Sequence, residues 1–125
     1  SCNCIYHKNC IEGLAAGPSI EKRWGSKGDK LASRDEVWEL ESYYIAQVLA
    51  NCIMLLSPEI IILGGGVMKQ TQLFPLIREK VRELIGGYIV TDRMADLDKY
   101  IVPAGLEGDQ GIVGCLQLAK SAVKA

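Results

Sequence analysis

The sequence predicts an α/β fold, incomplete as it stands, on three observations. First, Val37, Leu40, Tyr44, Ile45, Val48, Leu49, Cys52 and Ile53 recur at spacings of three and four, the apolar stripe of a buried helix. Second, Glu59-Ile60-Ile61-Ile62-Leu63 is a β-branched run without alternation, which predicts a strand buried on both faces. Third, a further amphipathic stretch, a second such run at Tyr100-Ile101-Val102-Pro103-Ala104 and a closing helical segment follow in that order. Strand, helix, strand, helix calls for a parallel sheet with right-handed crossovers. Two strands are few beside the ~5 of an ordinary sheet, so the chain is expected to be part of a larger domain.

Taken in order, residues 1–10 read as an irregular loop rich in metal-ligating side chains. From Ile11 to Trp24, Leu14, Ala15, Ile20 and Trp24 fit one helical face. Gly17-Pro18 interrupts it, and the missing N–H of Pro18 predicts two short helices or a bent one. Gly25-Ser26-Lys27-Gly28-Asp29 is a turn by composition. Ser33-Arg34-Asp35-Glu36 has the capping-box pattern, with Ser33 at the cap and Glu36 reaching back, opening a helix that ends near Leu56, before Pro58. The next helix is expected over about Thr71 to Ile85, stopped by Gly86-Gly87. The last runs from about Asp109, a reasonable cap, to Val123. Gly108, Gly111 and Gly114 recur every three residues there and leave one helical face bare for another backbone.

Composition narrows the function classes. Of 125 residues, 49% are apolar and 23% charged, which excludes disordered and low-complexity classes. Lys plus Arg number 14 against 15 Asp plus Glu, so no positive excess exists to neutralise a phosphate backbone or an anionic membrane. Neither nucleic acid nor membrane is expected as a partner. The longest apolar stretch, Cys52 to Leu63, is broken by Ser57-Pro58-Glu59 and falls short of the ~20 residues a membrane helix needs. No secretory leader is read at the start, and Ser1 in place of Met is expected of a processed or partial chain. The five cysteines are an odd set without secretory context, so no disulfide framework and a cytoplasmic location are expected. Cys52 and Cys115 lie in apolar runs and read as buried thiols.

Four constellations carry chemistry. In Cys4-Ile5-Tyr6-His7-Lys8-Asn9-Cys10, two thiols and the sole histidine are spaced so that a tight loop brings them onto one tetrahedral ion. Zinc suits thiolate and imidazole better than a hard ion does. The fourth ligand is either Cys2 or a residue outside the chain; the plain alternative is a surface loop with incidental cysteines. Glu12 follows Cys10 closely, and a carboxylate held beside a rigid anchor accepts hydrogen bonds from a polyol; alternatively it is merely an acid at a helix N-terminus. Gly64-Gly65-Gly66 ends the first strand, where α/β folds bind ligands and glycine permits close backbone approach. Lys69 breaks the G-x-G-x-x-G pattern and the P-loop pattern is absent, so a tight turn is the equal alternative. Gly105 to Gly114 reads mostly as architecture.

Together these residues resemble the carboxyl-terminal part of a ROK-family sugar kinase, most like the fructokinases. The carriers are Cys4 to Gly25, the strand with Gly64-Gly65-Gly66-Val67, and Gly105 to Gly114. The first block departs from the usual Cys-Pro-Tyr/Phe-His-x-x-Cys-Leu-Glu-Gly only in Ile5 and Ile11, and neither swap removes a ligand. The resemblance implies part of an actin-like, ribonuclease-H-like ATPase lobe, with residues 1–10 as a zinc loop, 11–125 as the α/β remainder and the amino-terminal lobe absent. It implies Cys4, His7 and Cys10 as ligands of a structural zinc, with an upstream histidine as the fourth. Glu12 would bind the sugar, and Gly64, Gly65 and Gly66 would border ATP, which acts with magnesium. The substrates would be a hexose and ATP. The catalytic base is expected upstream of Ser1, so the segment alone is expected to be inactive. An exposed half-lobe is expected to self-associate, as a homodimer. The alternatives are the sugar-binding segment of a ROK transcriptional repressor and a small zinc-binding interaction module.

Overall fold

A computed structural model describes residues 4–7, 9–106 and 108–124. Two short helices come first, α1 (Ile11–Ala15) and α2 (Gly17–Trp24), separated by Ala16 in an extended conformation. Pro18 falls in the first turn of α2, where its missing N–H leaves no bond unmade. Gly25 ends α2 at a φ of 72°, its N–H donating to Glu21 O at 2.8 Å. A single 3-10 turn at Gly28–Leu31 then leads into α3 (Asp35–Leu56), the 22-residue spine of the molecule.

The start of α3 departs from the capping box. The cap residue is Arg34, not Ser33, and no side chain caps the helix. The preceding 3-10 turn carries Ala32 and Ser33 round a further turn, closed by Arg34 N–H to Leu31 O at 2.9 Å. Glu36 turns instead to Arg34, whose Nε and Nη2 donate to its Oε1 at 2.9 and 2.6 Å. The far end agrees with expectation: Ser57 caps Leu56 in the left-handed region, and Pro58 follows.

Strands β1 (Ile61–Leu63) and β2 (Ile101–Pro103) pair in parallel, with Ile61, Ile62 and Leu63 opposite Ile101, Val102 and Pro103. Between them lie a 3-10 turn (Val67–Lys69), α4 (Leu73–Ile85) and two one-turn helices, α5 (Asp92–Ala95) and α6 (Leu97–Tyr100). Leu73, Ile77, Val81 and Ile85 recur every fourth residue along α4, are all buried, and pack on α3. The core is this α3–α4 seam, extended by Ile20, Trp38, Leu97, Tyr100 and Ile101. Arg78 ties α4 to the sheet, its Nε and Nη2 donating to Ile101 O at 3.0 and 2.7 Å.

Three expectations are corrected. β1 is covered on one face only: Ile61 and Leu63 are half-buried, whereas Ile62 is 61% exposed, because the described residues supply helices to a single side. Cys115 is exposed and Cys52 half-buried, so neither is the buried thiol its apolar surroundings implied. The closing helix, α7 (Gln110–Lys124), is exposed from Gly111 through Val123, and a Cβ on Gly111 or Gly114 would meet nothing within 4 Å. The bare glycine face is thus present without a backbone against it among the described residues. No helix among these residues is long and apolar enough to cross a membrane.

Candidate functional site

Cys10 does two things at once. It is the N-cap of α1, extended at φ −78°, and the Gly13 N–H donates to its Sγ at 3.4 Å. The same sulfur, Cys4 Sγ and a ring nitrogen of His7 all lie within 4.8 Å of one another. Cys4 Sγ and His7 Nδ1 are 3.6 Å apart. A tetrahedral zinc with bonds of ~2.3 Å to sulfur and ~2.0–2.1 Å to nitrogen sets those atoms about 3.6 Å apart, so the donor set and its spacing fit that ion. A backbone hydrogen bond from Tyr6, then one from the His7 side chain, draws the Cys4 thiol down to about 7, toward the thiolate a metal needs. Cys2, the fourth ligand the sequence offered, lies outside the described residues.

Glu12 sits in the first turn of α1, exposed and directed by the short helix that Cys10 starts. It borders two hollows. One, about 290 Å³, lies against Cys4 and Tyr6. The other is the principal cleft, about 710 Å³, which Gly64, Gly65 and Gly66 also line. The glycine turn in turn borders a third hollow of about 490 Å³, with Lys69, Ala104 and Gln110. The carboxylate and the glycines singled out in the sequence therefore line one cleft, and Glu12 also lines the smaller hollow beside Cys4 of the metal-ligating loop.

The three glycines differ in what they require. A Cβ on Gly64 would approach the Ala104 Cβ to 3.3 Å, so Gly64 lets the ends of β1 and β2 come together. Gly65 has a φ of 98°, which a side chain resists, and the space around it is open, as it is at Gly66. Backbone at Gly65 and Gly66 is thus open to a close ligand.

A model described as the ROK family matches residues 1–122. The chain belongs to the ROK family. Among curated relatives, the fructokinase of Pediococcus pentosaceus is 49% identical over 122 residues, which are 98% of this chain and 41% of that protein. A putative fructokinase of Bacillus subtilis (strain 168) is 49% identical over 123 residues, with the same two coverages. The glucokinase of Thermotoga maritima is 30% identical over 126 residues, 94% of this chain and 37% of that protein. The chain spans about two fifths of the length of these relatives. ROK membership carries with it the actin-like ATPase fold, with which the parallel strand pair and the helices of the described residues are consistent.

The sequence reading of this ROK segment missed Trp38, Asp29 and Gln70, all of which line the cleft. It also missed the most buried ionic contact, in which Arg23 Nη1 donates to Glu41 Oε1. Burial pushes the Glu41 carboxyl up to about 7, against the opposing charge and hydrogen bond of Arg23. A glutamate on the inner face of an apolar stripe was the available signal.

Proposed function

We propose that the protein to which this segment belongs is an ATP-dependent, fructokinase-like hexose kinase, with residues 1–125 as the carboxyl-terminal part of one lobe. The observation that supports this reading is the one cleft that Glu12 and the Gly64-Gly65-Gly66 turn both line. Phosphoryl transfer places an acceptor hydroxyl in line with a nucleotide γ-phosphate, and the protein contributes chiefly positioning and charge. On this reading Glu12 accepts hydrogen bonds from sugar hydroxyls and orients the ring. The backbone of Gly65 and Gly66 admits the nucleotide close to the end of β1. Cys4, His7 and Cys10 hold a zinc ion, which when bound supplies a rigid tie between the loop and α1. Magnesium, when bound with ATP, supplies neutralising charge across the phosphates. The base that takes the hydroxyl proton comes from outside this segment. The protein acts in the cytoplasm, as a homodimer.

The test is the whole kinase assayed with fructose, mannose and glucose, alongside Glu12→Gln. The variant is expected to raise the KM for the preferred hexose by about 10- to 100-fold, with the KM for ATP changed less than about twofold. Absence of hexose-dependent ADP formation defeats the kinase reading. An unaltered hexose KM in Glu12→Gln defeats the role given to Glu12. Gly65→Ala should act on the other substrate: strain of about 1–2 kcal/mol in the turn is expected to raise the KM for ATP roughly tenfold and leave that for hexose alone.

A further inference from the structure

We infer that Arg23 and Glu41 form a positioning device for Glu12, acting through the backbone of α1. The inference rests on the reading that Glu12 holds the sugar. It begins from the length of α1, five residues, far too few for a helix that sustains itself in water. Something outside α1 must hold its direction, and with it the direction of Glu12. At the N-terminal end that is Cys10, through its cap on Gly13 N–H.

At the C-terminal end the last carbonyls of a helix have no partner within it. Here two of them are taken by side chains of α2. Ser19 Oγ donates to Gly13 O, and Arg23 Nη2 donates to Leu14 O at 2.9 Å. Leu14 is two residues beyond Glu12, within the same turn of helix. The other prong of the guanidinium, Nη1, is held by Glu41, which is fully buried on α3. The guanidinium also lies over the Tyr44 ring, 5.4 Å from its centroid. Arg23 thus bridges the five-residue helix that presents Glu12 and the long helix that anchors the core. A planar fork does this with one side chain, whereas a lysine ammonium has no second prong at that separation.

Stability alone is a poor reason for the pair. Glu41 Oε2 is buried and accepts no hydrogen bond among the described residues. A buried ion pair with an unsatisfied oxygen recovers little of its desolvation cost, and neutral replacements of similar shape are commonly as stable. What the pair supplies is direction: it fixes where the end of α1 sits relative to α3, whose Trp38 and Ile45 form the wall of the cleft.

The decisive experiment uses the whole kinase carrying the double substitution Arg23→Met/Glu41→Gln, with fructose and ATP as the substrates varied. The double variant removes both charges and keeps both stems. It is expected to melt within a few degrees of the parent, to keep its metal content, and to show a fructose KM raised about tenfold with the ATP KM unchanged. Arg23→Lys keeps a charge opposite Glu41 but loses the prong on Leu14 O; it carries the same expectation and stands in where the double variant does not fold. A merely structural pair would lower the melting temperature and the yield of active enzyme and leave both KM values alone. A folded variant of either kind with a fructose KM within about twofold of the parent overturns the inference. Glu12→Gln, run in parallel, separates the two ideas. If it raises the fructose KM while the Arg23 variants do not, the positioning role falls and the sugar role of Glu12 stands. If Glu12→Gln itself has no effect, the sugar role falls and takes the positioning role with it.

Discussion

Replacing Cys10 with serine is expected to abolish metal binding, lower the melting temperature and raise the hexose KM in one step. The substitution is informative because of what it leaves in place. Serine is among the best N-cap residues, so the acceptor for the Gly13 N–H survives and α1 still has a start. The hydroxyl is neither a thiolate nor a soft ligand, so the donor set of Cys4, His7 and Cys10 loses its third member. An ion present at ~1,000 times its Kd contributes about 4 kcal/mol to the folded state, and its loss is worth on the order of 10 °C in melting temperature. Metal analysis should fall from about one zinc per chain to near none. Chelation of the parent protein should reproduce the change, and added zinc should reverse it in the parent only. Cys10→Ala removes the cap as well and is expected to cost about 1 kcal/mol more than the serine. A Cys10→Ser protein with full metal content and an unchanged hexose KM would defeat the anchoring role of the loop.

The same residue shows why parts of this molecule are legible in the sequence. Cys4, His7 and Cys10 are close along the chain, so a tight loop alone brings their donor atoms together, and spacing is enough to read them. The α3 stripe, the break at Ala16-Gly17-Pro18 and the stop at Gly86 are local in the same sense, set by periodicity and by single residues with restricted or permissive backbones. That Glu12 and Gly64 to Gly66 share a cleft is not local, since more than fifty residues separate them; the residues offer each as a ligand contact, but nothing in their spacing brings the two together. Ser33 was misread because the capping-box pattern is met whether or not the chain arrives at that residue extended, and a 3-10 turn just upstream decides that it does not. The one-turn helices α5 and α6 are too short to show a period; their caps, Thr91 and Asp96, are the signal, with side chains accepting from Met94 N–H and Lys99 N–H. β1 reads as doubly buried because its β-branched composition carries no alternation, whereas the described residues place helices against only one of its faces.

The largest loss of stability from a single side chain is expected at Trp38, and a comparison with Trp24 shows why burial alone does not settle it. Trp38 is 1% exposed, and its indole N–H donates to Leu31 O at 2.9 Å. Its ring edge lies where a Cβ on Gly28 would come within 3.4 Å, so the indole holds the 3-10 turn that leads into α3 and lines the cleft beside it. Trp38→Ala deletes the ring from the core and leaves a cavity, a change of about 3–5 kcal/mol, comparable with much of the ~5–15 kcal/mol that holds a domain folded. Trp38→Phe keeps most of the apolar surface but loses the indole hydrogen bond to the Leu31 carbonyl, which retains the one from Arg34 N–H, and should cost about 1 kcal/mol. Trp24 is half-buried under Arg34, whose guanidinium carbon sits 5.0 Å from the ring centroid, and its Nε1 is buried without an acceptor among the described residues. Trp24→Phe removes that unsatisfied donor and keeps a ring for Arg34, so it is expected to be neutral or slightly stabilising. Urea unfolding of the three variants in the whole protein checks the order: the midpoint should fall steeply for Trp38→Ala, modestly for Trp38→Phe, and hold or rise for Trp24→Phe. Equal losses for the two phenylalanine variants would mean that the indole hydrogen bond to Leu31 does not secure the turn, and that ring volume alone sets the stability of this wall of the cleft.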